Sequence, residues 1–589
     1  MSTGGAEEPR IRWRWRYLWW VALVLFLALL GVGAWVGWKG SVAYVGLGDA
    51  QSAAGRARSA IGKGDAIEGA RQLEHTTEAL ARAREATDDP VWQAASKVPW
   101  VGPNLQAVTT LTAALDELAR EGVTPVVEVV SVVASGGLAP RDGRIDLEPL
   151  ENAAPALAQA ATAGEKASAD LATIDAGSLL PMVSERVEEV RSQVDEIASA
   201  LRTGARVAEL LPPMLGSEGE RQYLALFLNS AELRSTGGLI GALAVVTADD
   251  GRLAMSETRA GTDLPRPDKP VLPLSEVELE LYGQALGRRV QGMALTPDFA
   301  RTAELAAAMW EADTGEKVDG VLATDVLALA GVLEGTGPVT TEDGTELSAQ
   351  SAVAELLHEP YLRYEKQAEA DAFFADAAGR VFSAIVSGSG SFSQIVDAFA
   401  TASGEGRVLV WSADAEEQAG LHAAGISGAF LSGAAPQAGG IFLNDATGGK
   451  LDFFLDTEVD VARVACEQGG MRVTTSLRLA SRVPAGAEDL PEYVTGMAEV
   501  PKGTFITRVS AYGPVGGKLL STQRDGASVG GRQAVEAERD VNVLSVELAP
   551  GQSVAYEFEW FVPQAGPVEV WSTPTTTSSG RLRAPGSCA

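Results

Sequence analysis

The sequence predicts a multidomain protein with an N-terminal transmembrane helix, an all-α helical bundle, an α/β core domain and a C-terminal antiparallel β-sandwich. Three observations predict this order: an uncharged run opens the chain, helical periodicity follows it to about residue 216, and strand-like apolar runs begin at about residue 221. The 589 residues leave room for several domains, since one domain usually takes about 100–200 residues. The predicted segments are a cytoplasmic basic segment (1–16), a transmembrane helix (17–38), a helical stalk or bundle (39–216), an α/β core domain (217–452), a β-sandwich (453–572) and a loose C-terminal tail (573–589).

The transmembrane helix is predicted from the uncharged residues 17–38, which follow three closely spaced arginines, Arg12, Arg14 and Arg16. A bilayer-spanning helix needs about 20 apolar residues. Because the positive flank comes first, we expect a single-pass protein of the cell membrane, with the N-terminus in the cytoplasm and the bulk outside. The alternative is a signal peptide cleaved near Ala43. Signal peptides have shorter apolar regions of about 7–15 residues, which favours an uncleaved signal anchor.

The net charge of −31 excludes a nucleic-acid-binding role, because phosphate binding needs clustered lysine and arginine. The three histidines (His75, His358 and His422) have no zinc or hydrolase motif around them. The two cysteines, Cys466 and Cys588, are too far apart in sequence to suggest a metal site. A disulfide between them is allowed outside the cytoplasm, but the sequence does not fix their separation.

The segment 39–216 has the periodicity of packed helices. Its clearest example alternates steps of three and four residues, as in a coiled-coil seam: Val187, Val190, Val194, Ile197 and Leu201. The repeat is too short for a free coiled coil, so we expect an antiparallel bundle standing on the membrane anchor. Such a bundle serves either as a stalk or partner-binding surface, or simply as a packed domain.

The segment 217–452 alternates strand and helix patterns, which predicts a layered α/β domain. Predicted strands cover 222–228, 239–247, 253–256, 318–324 and 407–412, and predicted helices cover 297–310, 325–333, 349–357 and 367–387. Thr296 is the expected N-cap of the first of these helices, with Pro297 at its first position.

From residue 453 short alternating runs are separated by glycine, proline and aspartate turns, as in an antiparallel sandwich of immunoglobulin-like type. Predicted strands include 453–459, 472–480, 504–512 and 555–561.

The densest group of candidate site residues follows the strand 222–228. Glycines in this loop allow either close approach of a ligand to the backbone or a tight turn. Exposed amides together with an arginine suit a carboxylate or phosphate. The alternative is a structural glycine turn with an internal Arg–Glu pair. The ligand-binding candidates in the loop are Asn229, Glu232, Arg234, Thr236, Gly237 and Gly238.

This loop and the strand before it resemble the signature of a bacterial envelope family catalogued as domain of unknown function 4012 (DUF4012). Three further motifs resemble the family pattern: Thr296-Pro297-Asp298-Phe299, residues 318–325 with Gly337-Pro338-Val339, and residues 444–452. The resemblance covers about residues 221–455 and implies a membrane-anchored protein with a helical segment before the domain. The family usually has an Asn-Trp pair just before Thr-Pro-Asp-Phe, whereas this chain has Gly292-Met293-Ala294. If that pair contacts ligand in the family, this chain binds differently.

A fainter resemblance links the chain to the LytR–CpsA–Psr glycopolymer transferases, which hold a lipid pyrophosphate with arginines and a divalent ion. It implies that Arg234 and Arg259 clamp phosphate while Asp263 helps to hold magnesium, which prefers oxygen ligands. The transferases' Arg-x-Asp-Thr and Pro-Arg-Asp elements are absent from this chain.

We therefore predict a non-catalytic scaffold or binding module of the cell envelope, acting in surface-polymer organisation and needing no cofactor. Its expected partners are the membrane, through residues 17–38, and a cell-wall or surface glycopolymer or other envelope proteins. The alternative is a magnesium-dependent phosphotransferase acting on lipid-linked glycopolymer pyrophosphates. That enzyme would need Arg234, Arg259 and an acidic residue to meet in one open pocket.

Overall fold

The computed structural model describes residues 11–62, 66–123, 137–433, 435–486, 490–563 and 566–587. The chain divides into two compact units, one comprising Met1–Gly137 and Glu148–Glu209 and the other comprising Leu138–Leu147 and Leu210–Ala589. The helices are α1 (Ile11–Gly62), α2 (Ala66–Thr87), α3 (Pro90–Ala95), α4 (Gly102–Glu117), α5 (Glu148–Ala172), α6 (Pro181–Met214), α7 (Glu276–Tyr282), α8 (Ala285–Arg288), α9 (Val290–Met293), α10 (Phe299–Thr314), α11 (Val326–Thr336), α12 (Ala352–Leu357), α13 (Glu359–Arg363), α14 (Gln367–Val386), α15 (Phe392–Gly404), α16 (Ala415–Ala423) and α17 (Glu492–Thr495).

The strands all belong to the second unit. They are β1 (Arg221–Asn229), β2 (Leu239–Asp249), β3 (Arg252–Met255), β4 (Arg259–Ala260), β5 (Gly320–Asp325), β6 (Val339–Thr340), β7 (Glu346–Leu347), β8 (Val408–Ser412), β9 (Gly439–Asp445), β10 (Leu455–Glu467), β11 (Gly470–Ser481), β12 (Phe505–Tyr512), β13 (Lys518–Arg524), β14 (Ala527–Ser528), β15 (Arg532–Glu536), β16 (Arg539–Leu548), β17 (Ser553–Val562), β18 (Pro567–Ser572) and β19 (Arg581–Ser587).

The first unit is helical, as the sequence predicts. Its α1 is 52 residues long, and the part from Trp19 to Ala60 is the one helix among the described residues that is long and apolar enough to cross a membrane. The predicted seam of α6 is confirmed at Val187, Val194 and Leu201, which are buried in one cluster with residues of α4 and α5. Ile197 departs from that prediction, because 41% of its surface is exposed.

The second unit begins with a sheet of order β3-β2-β1-β5-β8, in which β1 and β5 are parallel and the other neighbours are antiparallel. Alternate side chains of β1, such as Leu224 and Leu226, pack with α10 in one apolar cluster. This confirms the predicted strands and helices of the α/β region. The parallel pairing brings the C-terminal ends of β1 and β5 to the same edge of the sheet. The segments that follow the two strands therefore begin side by side.

The start of α10 differs from the prediction by two residues. The helix begins at Phe299, and its N-cap is Asp298, whose carboxylate accepts a hydrogen bond from the Ala300 amide (3.1 Å). Thr296 instead accepts a hydrogen bond from the Asp298 amide (3.3 Å), so it shapes the turn before the helix. Aspartate is as good an N-cap as threonine or better, and here its position decides the boundary.

The C-terminal part contains two sheets that share one apolar cluster. The first has the order β10-β11-β17-β13-β14 and is antiparallel, as predicted. The second has the order β15-β16-β12-β9-β18-β19 and is mixed, because β18 pairs in parallel with β9. The expectation of a purely antiparallel arrangement is therefore wrong. The strand β9 comes from the segment assigned to the α/β core, and the parallel pairing joins chain segments more than a hundred residues apart.

The expected loose tail over residues 573–589 also differs from the structure, since Arg581–Ser587 form β19, paired with β18. Three threonines of this segment, Thr573, Thr575 and Thr577, form hydrogen bonds with β9 or β10. The Thr573 hydroxyl accepts a hydrogen bond from the Leu443 amide (2.8 Å), and the Thr575 and Thr457 hydroxyls lie 2.6 Å apart.

Candidate functional site

A cavity of about 590 Å³ lies in the second unit beside the ends of β1, β2 and β5. The helix α14 covers it, and the chain around Gly448 and Lys450 contributes part of its lining. Much of the wall is apolar, with side chains of Leu228, Ile240, Val326, Leu329, Leu356, Phe374 and four alanines of α14. Polar side chains come mainly from the glycine-rich loop after β1, from the segment that runs from β4 to α9, and from α14 itself. A concave site with apolar walls and a few polar groups is the usual form of a small-molecule site.

The glycine-rich loop is a tight structural turn. Its residues turn back on themselves, with the Gly237 amide donating to the Arg234 carbonyl (2.8 Å) and the Leu239 amide donating to the Glu232 carbonyl (2.9 Å). A Cβ at Gly238 would lie 2.5 Å from the carbonyl carbon of Asn229, and Gly237 has φ +121°. Glycine is required at both positions by the backbone, which is the structural alternative that the sequence left open.

Three charged side chains meet under this loop. The Glu232 carboxylate forms ion pairs with Arg234 (2.5 Å) and with Lys450 (2.5 Å). Burial alone would raise the pKa of Glu232, but Lys450 and Arg234 outweigh burial and hold that pKa below its usual value. Burial likewise opposes charge on Lys450, yet Glu232 leaves the pKa of Lys450 raised. The cluster is therefore ionised, with two cations sharing one carboxylate.

Arg234 is also held by the backbone. Its guanidinium donates to the Leu233 carbonyl (2.8 Å) and, more weakly, to the Asp445 and Gln291 carbonyls (3.4 Å each). Only 9% of the residue is exposed. A guanidinium this fully engaged orders the loop, and it has little capacity left to clamp a second oxyanion.

The motif at residues 444–452 packs directly against the glycine-rich loop. The Asn444 side chain exchanges hydrogen bonds with Ser235, and the Asp452 carboxylate accepts one from the Leu233 amide (2.7 Å). Burial raises the pKa of Asp452 well above its usual value, and it also raises the pKa of Asp445. Two motifs more than two hundred residues apart thus form one polar base for the cavity.

Two arginines at the cavity have guanidinium groups without a hydrogen bond or ion pair among the described residues. They are Arg266, in the loop before α7, and Arg289, between α8 and α9, and both are exposed. Across from them, α14 presents Asp371, a half-buried carboxylate that also has no such partner within the described ranges. Burial and the nearby Asp263 raise the pKa of Asp371, while Lys450 opposes that rise.

The predicted site residues fall into two groups. Asn229, Glu232 and Arg234 line the cavity, and Asn229 donates a hydrogen bond to the buried Tyr361 hydroxyl (2.5 Å). Thr236, Gly237 and Gly238 do not line it, because they form the turn behind it.

The predicted phosphate clamp is not assembled. Arg259 pairs with Asp313 (2.9 Å) and lies over the Trp310 ring, 5.4 Å from its centroid, so it does not join Arg234 at the cavity. Asp263 lies outside the cavity lining, and no group of three metal-ligating side chains occurs within the described residues. The predicted Cys466–Cys588 disulfide includes Cys588, which lies outside the described residues.

The cavity residues missing from the predicted set include Arg266, Arg289, Tyr361, Asp371 and Lys450. Lys450 had a signal, since it belongs to the motif 444–452. Arg266, Arg289, Tyr361 and Asp371 had none, because their places at the cavity are set by the packing of segments that are distant in the sequence.

Residues 218–361 match the family model described as "Protein of unknown function (DUF4012)". The match includes the glycine-rich loop, the N-cap of α10 and the whole of β5. The fainter resemblance to glycopolymer transferases receives no support. Comparisons with curated proteins and with solved structures give no match.

Proposed function

We propose that this chain, of which residues 218–361 match the model for the protein of unknown function DUF4012, is a membrane-anchored, non-catalytic binding module of the cell envelope. Its ligand occupies the cavity beside β1, β2 and β5. The ligand is an anionic amphiphile, with an apolar part against α14 and an acidic group near Arg266 and Arg289.

The cavity is the observation that carries this proposal. Its volume of about 590 Å³ falls in the range typical of small-molecule sites, about 300–1,000 Å³. The alanines of α14 and the side chains of Leu329 and Phe374 offer an apolar wall that water wets poorly. A ligand with an apolar portion would gain free energy by covering that wall.

The charge of the lining supports an acidic group on the ligand. Glu232 is already shared by two cations, and Asp325 is paired with Arg407 (2.8 Å). Arg266 and Arg289 have no hydrogen bond or ion pair within the described ranges, in a protein whose net charge is −31. The carboxyl of Asp371 is also unpaired there, but burial and Asp263 raise its pKa, which favours its neutral form. Guanidinium groups bind carboxylate and phosphate oxygens with charge-assisted hydrogen bonds, which are stronger than neutral ones.

The anchor supports a location at the membrane. Residues 19–35 of α1 are exposed, and the most apolar window of the helix has a mean hydropathy of 2.3, so this stretch is unsuited to water. With arginines before it, the bulk of the chain would lie outside the cell, where surface polymers and other envelope proteins are available as partners. Catalysis is not favoured, since Arg259 is committed to Asp313 and Trp310.

The test uses the full chain in phosphatidylcholine nanodiscs, titrated calorimetrically with n-octyl phosphate and, separately, with uncharged n-octanol. Empty nanodiscs supply the blank. We expect the phosphate to bind more tightly than the alcohol. The double change Arg266→Gln with Arg289→Gln should weaken octyl phosphate binding about tenfold or more, since each lost charged hydrogen bond is worth about 1.5–3 kcal/mol. Binding of octanol should stay unchanged.

Two matched controls accompany this test. Arg252→Gln removes an exposed arginine away from the cavity and should have no effect. Ala378→Phe fills the cavity and should weaken both probes, whereas Ala368→Phe places the same ring on the exposed side of α14. Octyl phosphate binding that is no tighter than octanol binding, or that survives Ala378→Phe, would refute the proposal.

A further inference from the structure

We propose that the first unit makes a second contact with the bilayer, through an apolar surface at the end of the unit where α1 leaves the membrane. This inference goes beyond the cavity but rests on the proposed anchoring by α1. The surface, here called the apolar foot, comprises Val98, Trp100, Val101, Leu180 and Met182. Its occupant is the lipid of the same leaflet from which α1 emerges.

The apolar foot is exposed to an unusual degree. Trp100 is 92% exposed and Met182 is 80% exposed, and the other three members are each more than half exposed. Trp100 also has φ +72°, a conformation that a residue with a bulky side chain rarely adopts. A strained turn that carries a fully exposed tryptophan gains nothing from the fold itself, so the gain must come from what covers it.

The two loops of the apolar foot are held side by side. The Asn104 side chain bridges them, since its Oδ1 accepts a hydrogen bond from the Leu180 amide (2.9 Å) and its amide group lies 3.4 Å from the Trp100 carbonyl. Only 9% of Asn104 is exposed. The five apolar side chains therefore form one surface from the α3–α4 turn and the start of α6.

Contacts with α1 give the level of this surface. The indole of Trp35 donates to Asp89 (3.0 Å), and Lys39 pairs with the same carboxylate (3.6 Å). Further along the chain, the ring of Trp92 packs against Gly40, where a Cβ built on the glycine would lie 3.5 Å from the Trp92 ring. The segment before the apolar foot is thus fixed at the C-terminal end of the predicted transmembrane stretch.

The direction of α4 places the apolar foot closer still to the membrane. The Trp92 indole donates to Thr109 (3.0 Å), while Leu115 and Ala119 share a cluster with Leu47 and Ala50 of α1. The helix α4 therefore runs the same way as α1, and its start points back along α1. Seven residues separate Gly102 from Thr109, which at 1.5 Å each is about 10 Å toward the membrane from the level of Gly40.

The chemistry of the apolar foot fits a lipid interface better than a protein partner. Tryptophan is enriched where headgroups meet acyl chains, and Trp35 of α1 lies about 7.5 Å toward the membrane from Gly40, close to the level of the start of α4. The exposed Lys97 beside Trp100 can reach headgroup phosphates. Because acidic residues such as Asp88 and Asp175 flank the surface, the contact is apolar, and it does not require anionic lipid.

The test uses the full chain in nanodiscs of zwitterionic phosphatidylcholine, with p-benzoylphenylalanine introduced at one position at a time. Trp100→benzoylphenylalanine and Met182→benzoylphenylalanine probe the apolar foot. Val32→benzoylphenylalanine reports insertion of α1, and Arg202→benzoylphenylalanine, at an exposed position well along α6, is the water-facing control. After irradiation, lipid adducts are counted by mass spectrometry.

We expect lipid adducts at positions 100 and 182 at least tenfold above position 202 and comparable to position 32. Adducts at position 32 without adducts at positions 100 and 182 would overturn this inference while leaving the anchor intact. An absence of adducts at position 32 would refute the anchor itself and the proposed function with it. Crosslinks from position 100 to protein, in place of lipid, would assign the surface to a second copy or a protein partner and would also overturn the inference.

Discussion

Replacing the buried N-cap Asp298 by asparagine should change how stability depends on pH. Only 4% of Asp298 is exposed, and burial raises the pKa of its carboxyl from 3.8 to about 6. The hydrogen bonds from Ser432 and from the first amides of α10 lower this pKa but do not outweigh burial. The folded state therefore holds the proton more tightly than the unfolded state. The resulting stabilisation is complete below about pH 4 and is lost as the pH rises through about 6.

The size of the effect follows from the shift in pKa. Roughly two pKa units at about 1.4 kcal/mol each give about 3 kcal/mol, lost by the wild type between pH 4 and pH 7. Asparagine keeps an oxygen that can cap the Ala300 amide, and it does not titrate. The difference in unfolding free energy between Asp298→Asn and the wild type should therefore rise by about 3 kcal/mol across this window, whatever its constant offset.

The assay is urea-dependent hydrogen exchange of the full chain, read by mass spectrometry on the peptide that covers α10 and corrected for the intrinsic effect of pH on exchange. This readout reports one helix, which matters because a chain of two units need not unfold in a single step. Asp414→Asn, at the exposed N-cap of α16, is the matched control and should follow the wild-type pH profile. A difference between Asp298→Asn and the wild type that stays flat from pH 4 to pH 7 would refute the reasoning.

Three further outcomes are expected. Gly238→Ala should lower the melting temperature, because overpacking costs about 1–3 kcal/mol. Gly241→Ala should be nearly neutral, because a Cβ at Gly241 would lie 3.8 Å from its nearest neighbour. Equal melting temperatures of the two variants would contradict this prediction. Arg407→Gln leaves the buried Asp325 without its cation and should lower the free energy of unfolding in urea by about 3–5 kcal/mol. A loss below about 1 kcal/mol would mean that the pair is not buried in solution. Glu536 accepts hydrogen bonds from two buried tyrosine hydroxyls, and burial raises its pKa. The wild type should therefore lose stability as the pH rises above about 4.5. Glu536→Gln should remove that slope in hydrogen exchange of β12, and an unchanged slope would contradict the assignment.

Local periodicity accounts for most of the elements that could be predicted. The strand at residues 222–228 appears as β1, and the helix predicted for 367–387 appears as α14 (Gln367–Val386). In each case the residues that form the periodic pattern lie within a few positions of one another, so the element could be predicted without knowledge of the fold. The N-cap of α10 was misplaced by two residues because Thr296 and Asp298 are both good capping residues.

Features that depend on distant segments could not be predicted in this way. Lys450 meets Glu232 across 218 positions, and β18 joins β9 in parallel although more than a hundred residues separate them. Arg259 was assigned to phosphate from the resemblance to the glycopolymer transferases, and its actual partner, Asp313, comes 54 positions later in the chain. In each case the pairing is decided by packing of whole elements, which leaves no periodic signal in the sequence.

The lining of the cavity has a consequence for how the protein is made. The family-matched segment ends at residue 361, but Lys450, Tyr493 and Met497 come from much later in the chain. On the proposed topology, a polypeptide that crosses the membrane in N-to-C order exposes the part of β1 and β2 that lines the cavity well before the residues that enclose it arrive. Until all but about the last hundred residues have crossed, that part needs temporary shelter, and on this topology a nascent chain stalled near residue 361 should be a substrate for extracytoplasmic chaperones.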